Sequence, residues 1–456
     1  MEIAMQKMLL SVIAKAVSGT LKGEDKEISS ISTDTRTIEE GSLFVCIKGE
    51  NFNAHLFAQK AAENGAVCVM AEEEVECSCS VIYVTSTRQA QLDLARFYRE
   101  KFSIPVVGVT GSVGKTTTKE MISCVMEEKY KTLKTEGNFN NDIGVPRMIF
   151  RLDESYTGAV LEMGMSNLGE ISLLTKAVKP TCSVISNIGV SHIENLGSRE
   201  NILKAKLEIL EGMEKGSTLF INGDNDLLSG VKNSDFNIVK YGVENENLDF
   251  RATDITSDSE KTEFEIDFDG KKQKIVLPTV GIHNVYNALC AFAVGLYHGI
   301  EPGKCASALE KYVPSGMRQK IIRKNGIVFI EDCYNASPDS QKASMNALMT
   351  IEGKRHIAVT GDMLELGSYS EKAHRDVGDY AAEKKVDYLF TYGKQSLFSA
   401  ESAKKSGLEN VFSFDDKEKL AEKLICTLRE GDVVSFKASR GMKLEEVIKM
   451  IYEGMN

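Results

Sequence analysis

A chain of 456 residues is long enough for roughly three domains of about 150 residues each. Its formal net charge of −11, with no basic run or basic–aromatic patch, speaks against nucleic acid as a partner. No run of about 18 apolar residues exists to span a membrane, and ten cysteines without a repeating framework point to reduced thiols in a cytoplasmic protein.

At the start, MQKMLLSVIAKA carries an apolar run and an A-x-A. Met5, Met8, Leu9, Val12, Ile13, Ala16 and Val17 recur at helical spacing, and Lys15 interrupts the small-residue site. An amphipathic first helix is predicted here in preference to a cleaved leader. Up to residue 102 short strands and helices alternate: SLFVCIKG and AVCVMAEE are buried strands, and TRQAQLDLARFYREKF is an amphipathic helix. A new unit opens at residue 103 with a strand, a glycine-rich turn and a helix. Buried strands follow at TGAVLEMGM, PTCSVISNIG and STLFING with helices between them, the rhythm of a parallel α/β sheet. Residues 246–278 alternate polar and apolar positions around Asp269-Gly270, which predicts an antiparallel hairpin at the sheet edge. HNVYNALCAFAVGLYHG is a helix, and YVPSGMRQK, with Pro314 and Gly316, is the linker. Strands at NGIVFIEDCY, RHIAVTGDM, VDYLFTYG and DVVSFKASRG build a third α/β unit. The expected units are 1–102, 103–313 and 314–456.

The strongest chemical signal is VVGVTGSVGKTTTKE, residues 106–120. A buried strand ends in a glycine-rich loop, and Lys115 and Thr116 open a helix whose positive end suits phosphates. Val109 stands where the full G-x-x-x-x-G-K-T pattern has its first glycine. Lys115 would reach the β- and γ-phosphates and the Thr116 hydroxyl would hold Mg²⁺. Glu162, at the carboxyl end of a buried strand, needs a partner or a metal. His192 follows another strand; an imidazole ligand is atypical for Mg²⁺ and would admit Mn²⁺.

In NILKAKLEIL a continuous helical winding puts Ile202, Leu203, Leu207, Ile209, Leu210 and Met213 on one face. Lys204 points to water, but Lys206 falls near the middle of the apolar arc. Desolvation lowers a lysine pKa, and a neutral amine can add CO₂ to become an anionic carbamate that ligates a cation; a snorkelling lysine is the plainer alternative. Residues 135–146 pack Asn138, Asn140, Asn141 and Asp142 into a polar loop able to orient a substrate. In EDCYNASPDS, Asp332 is placed like a ribose acceptor, Tyr334 could stack on a base, and Asn335 follows. Asp362, Lys437 and Arg440 end later strands.

These residues resemble the Mur ligases, ATP-dependent amide-forming enzymes of peptidoglycan synthesis. The resemblance runs along essentially the whole chain: STDTR, FVCIKGENFNAHLF, TGSVGKTTTKE, EGNFNNDIGVP, LEMGM, NIGVSHIENLGS, AKLEIL, GIHNVYNALCA, EDCYNASPDS and GDMLELG appear in the family's order. It implies a central P-loop ATPase with a mostly parallel sheet, an N-terminal α/β substrate domain and a C-terminal Rossmann-like domain. Within the family the motifs are most similar to the branch that joins D-alanyl-D-alanine to UDP-N-acetylmuramoyl-tripeptide; a sister ligase or a folylpolyglutamate synthase-like enzyme is the alternative. The resemblance further implies ATP contacts from Thr110, Gly111, Ser112, Val113, Gly114, Lys115, Thr116, Thr117, Asn284, Asn287, Arg318, Asp332, Tyr334 and Asn335. Two Mg²⁺ ions would be held by Thr116, Glu162, His192 and a carbamate on Lys206, with Lys115 completing the catalytic set. By motif match, Thr33, Asp34, Arg36, Lys48, Asn53, Asn138, Asn141, Lys437, Ser439 and Arg440 would touch the other substrates. The family's KGSR element is KASR here, with Ala438 for glycine. A monomer is the family expectation.

Overall fold

The computed structural model describes residues 3–314 and 316–455. Three sheets follow one another along the chain. The N-terminal sheet has six strands in the order Ile3–Leu9, Glu27–Ser32, Ser42–Val45, Ala66–Ala71, Ser80–Tyr83 and Thr20–Lys22. Its two outer pairings are antiparallel and the inner ones parallel. The helix Thr87–Arg99 packs back through Ala90, Leu94 and Tyr98, one helical turn apart, and Ser86 caps it by accepting from Gln89 N.

The central sheet has nine strands in the order Thr132–Lys134, Gly158–Glu162, Val106–Thr110, Cys182–Ile185, Thr218–Asn222, Asn237–Gly242, Phe250–Ser257, Thr262–Phe268 and Lys271–Leu277. Pairing is parallel up to Phe250–Ser257 and antiparallel beyond it. Strands such as Val106–Thr110 and Cys182–Ile185 are buried along their whole length, as a sheet covered on both faces requires. The helix Ile282–Tyr297 is apolar around most of its circumference and lies inside, against the P-loop helix Lys115–Met126. The C-terminal, Rossmann-like sheet has six strands, Lys320–Lys324, Ile327–Glu331, Asp432–Lys437, Arg355–Gly361, Tyr388–Tyr392 and Val411–Phe414, antiparallel only in its first pair.

Three expectations change. The amphipathic first helix is a strand, Ile3–Leu9, followed by a short helix, Leu10–Ala16. A short apolar run fits either period, and antiparallel pairing of Met8 with Ile28 and Leu9 with Glu27 decides it. The hairpin over 246–278 is a three-stranded meander; its second turn does sit at Asp269-Gly270, both with positive φ (48° and 69°), as a two-residue hairpin turn demands. The helix of NILKAKLEIL ends at Leu207 and tightens into a 3₁₀ turn over Glu208–Gly212. Ser315, within the expected linker, lies outside the described residues. All ten cysteines are free, and among the described residues no helix is long and apolar enough to cross a membrane.

Candidate active site at the carboxyl edge of the central sheet

The strand Val106–Thr110 leads into Gly111–Gly114 and the helix Lys115–Met126. Gly111 has φ +150°, and a Cβ there would lie 1.9 Å from Ser186 Oγ; Gly114 takes φ +84° to open the helix. The segment after the next strand clamps this loop. Ser112 N donates to Asn187 O at 3.0 Å, Val113 N to Asn187 Oδ1 at 2.7 Å and Ser186 Oγ to Val113 O at 2.6 Å. Thr110 Oγ1 donates to Met163 O at 2.8 Å, tying the loop to the strand that carries Glu162. Lys115 Nζ folds back to donate to Gly111 O at 2.8 Å.

Glu162 is 2% exposed. Thr116 Oγ1 donates to its Oε2 at 2.9 Å and Asn140 Nδ2 to its Oε1 at 2.8 Å. Both donors are neutral, so the charge of this buried carboxylate is offset through space by Lys115 rather than by a direct ion pair. The separation of Thr116 Oγ1 and Glu162 Oε2 matches that of adjacent oxygens around an octahedral Mg²⁺, about 2.9 Å for bonds of about 2.1 Å. Two hard oxygens at that spacing, one of them on a buried carboxylate, fit the cation that the P-loop implies.

Lys206 is buried, 2% exposed, while Lys204 is exposed. Burial, with the Lys115 ammonium adding to it, pushes the Lys206 amine well below its ordinary pKa. Lys115 is lowered too, chiefly by burial; Glu162 opposes that and Arg318 adds to it. His192 takes a left-handed backbone (φ 61°) at the start of the short helix Ile193–Leu196, and its Nδ1 lies 2.7 Å from Glu365 Oε2 of the C-terminal unit. Among the described residues, no three of His, Cys, Asp and Glu converge as a ready-made metal cluster.

Beside the P-loop, between the central and C-terminal units, lies a cavity of about 250 Å³. Thr117, Asn284, Asn287, Arg318, Asp332 and Lys437 line it, as do Gly114 and Val113. Asn287 Oδ1 accepts from Thr118 Oγ1 at 2.9 Å; Asn284 Nδ2 donates to Val280 O at 3.0 Å and Gln319 Oε1 at 2.6 Å. Lys437 Nζ pairs with Asp332 Oδ2 at 2.8 Å. Four residues of the lining, Thr279, His283, Gln319 and Ser344, hold buried polar atoms without a protein partner. Such atoms call for a ligand or water to bond with.

Other expected residues stand elsewhere. Tyr334 and Asn335 are not in the cavity lining: the Arg318 guanidinium lies 4.2 Å from the Tyr334 ring centre, and Asn335 is exposed. Ser439 holds the loop after Gly361, accepting from Leu364 N at 3.0 Å, and Arg440 pairs with Glu445 at 2.8 Å. Ala438 is fully buried against Gly361, where a Cβ would lie 2.7 Å from that of Ala438, so the alanine is matched by a glycine across the sheet. Asn138 is exposed, and Asn141 Oδ1 accepts from Ile143 N and Gly144 N, shaping the loop.

In the N-terminal unit, Thr33 and Asp34 follow one parallel strand and Lys48 the next. Thr33 and Asp34 line a small cavity with Gln91 and Arg147, while Arg36 pairs with Asp34 at 2.6 Å. Lys48 pairs with Glu73, and Asn53 Nδ2 donates to Glu73 Oε2 at 3.2 Å. Asn140 as the anchor of Glu162, Asn187 as the clamp of the P-loop, and Thr279, His283 and Gln319 in the cavity were missed. Only Asn140 carried a signal, as one polar residue in a loop of several.

The Mur ligase middle domain matches residues 109–295, the Mur ligase glutamate ligase domain 317–440, and the Mur ligase family catalytic domain 27–109. The chain is 40% identical to the UDP-N-acetylmuramoyl-tripeptide–D-alanyl-D-alanine ligase of Bacillus subtilis, covering 98% of this chain and 99% of that one. Identity to the enzyme of the same name from Escherichia coli is 33%, over 98% and 99%. A crystal structure of MurF from Acinetobacter baumannii superposes with a TM-score of 0.93 at 29% identity, covering 99% and 100% of the two chains. MurF ligase from Thermotoga maritima in complex with ADP gives 0.85 at 29% identity, covering 93% and 97%.

Proposed function

The chain belongs to the Mur ligase family, and on that premise we propose that it joins D-alanyl-D-alanine to UDP-N-acetylmuramoyl-tripeptide while ATP is converted to ADP and phosphate. The observation that carries this reading is the junction of three parts at one sheet edge. They are a P-loop with Lys115 and Thr116, a buried Glu162 bonded to Thr116, and a buried lysine whose pKa the Lys115 charge helps to lower.

The chemistry follows from the positions. ATP lies with its base in the cavity beside Asn284 and Asn287 and its phosphates on the P-loop amides. The terminal carboxylate of the tripeptide attacks the γ-phosphorus, giving an acyl phosphate and ADP. Lys115 leaves its contact with Gly111 O and offsets charge on the transferring phosphoryl group. The dipeptide amine then attacks the acyl carbon, and the tetrahedral intermediate expels phosphate and a proton to leave the amide. Thr116, Glu162, His192 and Lys206 would hold two Mg²⁺, or Mn²⁺, which would supply Lewis-acid stabilisation of the phosphoryl oxygens. Burial favours the uncharged form of the Lys206 amine, which is the form that would add CO₂, releasing a proton and leaving a carbamate whose oxygens join the buried Glu162 carboxylate.

The acyl phosphate must be kept from water, which closing of the C-terminal unit over the central one would do. Thr33, Asp34, Arg36, Lys48 and Asn53 bind the UDP-sugar end; Asn138, Asn141, Lys437, Ser439 and Arg440 face the remaining substrate groups. We take 1–102, 103–313 and 314–456 as the working units of a cytoplasmic monomer. The deciding assay measures ADP release with UDP-N-acetylmuramoyl-tripeptide and either D-alanyl-D-alanine or single amino acids. Turnover with the dipeptide alone is expected; turnover with a single amino acid and not the dipeptide overturns the assignment.

A further inference from the structure

Glu162 is held at its backbone N as well as at both carboxylate oxygens. The N donates to Thr135 Oγ1 at 2.9 Å, Oε1 accepts from Asn140 at 2.8 Å and Oε2 from Thr116 at 2.9 Å. Thr135 and Asn140 both follow the three-residue strand Thr132–Lys134, which lies at the edge of the central sheet beside Gly158–Glu162. So short an edge strand gives the segment after it little support. The P-loop helix supplies the rest. Lys119, buried one helical turn after Thr116, donates from Nζ to Thr135 O and to Glu120 Oε1, both at 2.6 Å. Glu120 Oε2 accepts from Lys134 Nζ at 2.6 Å, so two neighbouring residues of the helix grip two neighbouring residues of the segment. The contacts close a ring. It runs from Thr116 to Glu162, to Thr135, to Lys119, and back to Thr116 through the helix.

We propose that Lys119 and Thr135 are positioning residues of the ligase: together they fix the spacing of the Thr116 hydroxyl and the Glu162 carboxylate, and so set how tightly a divalent cation is held. The Lys119 ammonium is engaged by protein oxygens, so it acts on the site through Thr135 and Glu162 and not by touching phosphate. Mg²⁺ demands near-ideal octahedral geometry, so two oxygens held at the right separation bind it better than two that wander. Groups that orient metal ligands from behind are worth 10-fold to 100-fold in metal affinity. The inference rests on the assignment of the cation to Thr116 and Glu162, made above.

The test titrates the full-length protein with a non-hydrolysable ATP analogue, by calorimetry, once with saturating Mn²⁺ and once with EDTA. The ratio of the two affinities measures what the cation gains from the protein. Thr135→Val removes the hydroxyl at nearly constant volume and is expected to lower this ratio about tenfold while the affinity in EDTA stays put. Thr135→Ser keeps the hydroxyl and is expected to stay within twofold of the wild type. Lys119→Met is expected to lower the ratio as Thr135→Val does, and the double variant to be little worse than either, because both cut the same ring. A ratio within twofold of the wild type in Thr135→Val, with only Tm lowered, overturns the inference. So does a Thr135→Ser protein as weak as Thr135→Val, a double variant whose loss is the product of the two single losses, or a wild type that Mn²⁺ does not help. Should Lys119→Met fail to fold, the two Thr135 variants decide alone. The readout needs neither peptide substrate nor turnover, so a failed dipeptide assay and a failed metal-positioning test remain separate results.

Discussion

The central site and the N-terminal site solve opposite problems. Around the P-loop the chemistry-bearing side chains are buried before any ligand arrives: Glu162 and Lys206 are each 2% exposed, Glu162 bonded to neutral donors and Lys206 beside the like charge of Lys115. In the N-terminal unit, Asp34 with Arg36 and Lys48 with Glu73 are solvent-facing pairs that satisfy each other. The first arrangement spends folding stability on a preorganised field and is strongly sensitive to single changes. The second is cheap to build, and a ligand has only to displace weak, screened pairs.

Four measurements sharpen or break this contrast. The largest effect is expected at Lys206. Replacement by Ala should lower kcat by roughly 10³-fold, the scale of several kcal/mol of lost charge stabilisation, and a short-chain carboxylic acid should restore part of it. Activity unchanged by the replacement would remove the carbamate role. Next, Asn140→Ala strips Glu162 of one of its two neutral donors, and kcat should fall roughly 10-fold to 100-fold with the KM for the nucleotide-sugar little changed. A purely raised KM would place Asn140 with the substrate instead.

At the N-terminal site, Lys48→Ala should raise the KM for the nucleotide-sugar by about fivefold at constant kcat, as lost uniform binding does. A drop in kcat of similar size to that of Asn140→Ala would erase the distinction between the two regions. The last effect leaves activity at the working pH unchanged and falls on stability alone, at the far end of the central sheet. Burial, with Lys129 adding to it, holds His298 down to about 4 from 6.5. Between those values the unfolded chain binds the proton more readily, so stability rises with pH across that window and is lost as pH falls through it. The difference is about 3 kcal/mol. His298→Gln should flatten the dependence of Tm on pH between 4 and 6.5; an unchanged slope would show that other groups dominate acid unfolding.

The sequence was most legible where local pattern and long-range packing agree. Strand Val106–Thr110, its glycine turn and the helix from Lys115 stand where strand, glycine and lysine spacing put them. The lysine at the wrong place on a helix, Lys206, is buried although the helix ends sooner than its periodicity suggests. Residues 5–9 were read as the start of a helix because apolar spacing over a short run fits two periods, and only pairing with Glu27–Ser32 breaks the tie. Cavity residues such as Thr279, His283 and Gln319 carry no motif by themselves. They come together because the linker and the helix start fold beside the P-loop.

By itself the chain determined its class of sheet, its phosphate loop and the identity of the acidic, imidazole and amine groups at strand and helix ends. These follow from backbone geometry and from the cost of burying charge, both written within a few residues. Tertiary structure decided which neutral partners hold Glu162, which polar atoms are left facing the cavity beside the P-loop, and that a glutamate from the third unit meets His192. Those contacts join residues tens to hundreds of positions apart, and their energies exist only once desolvation has brought the separate units together.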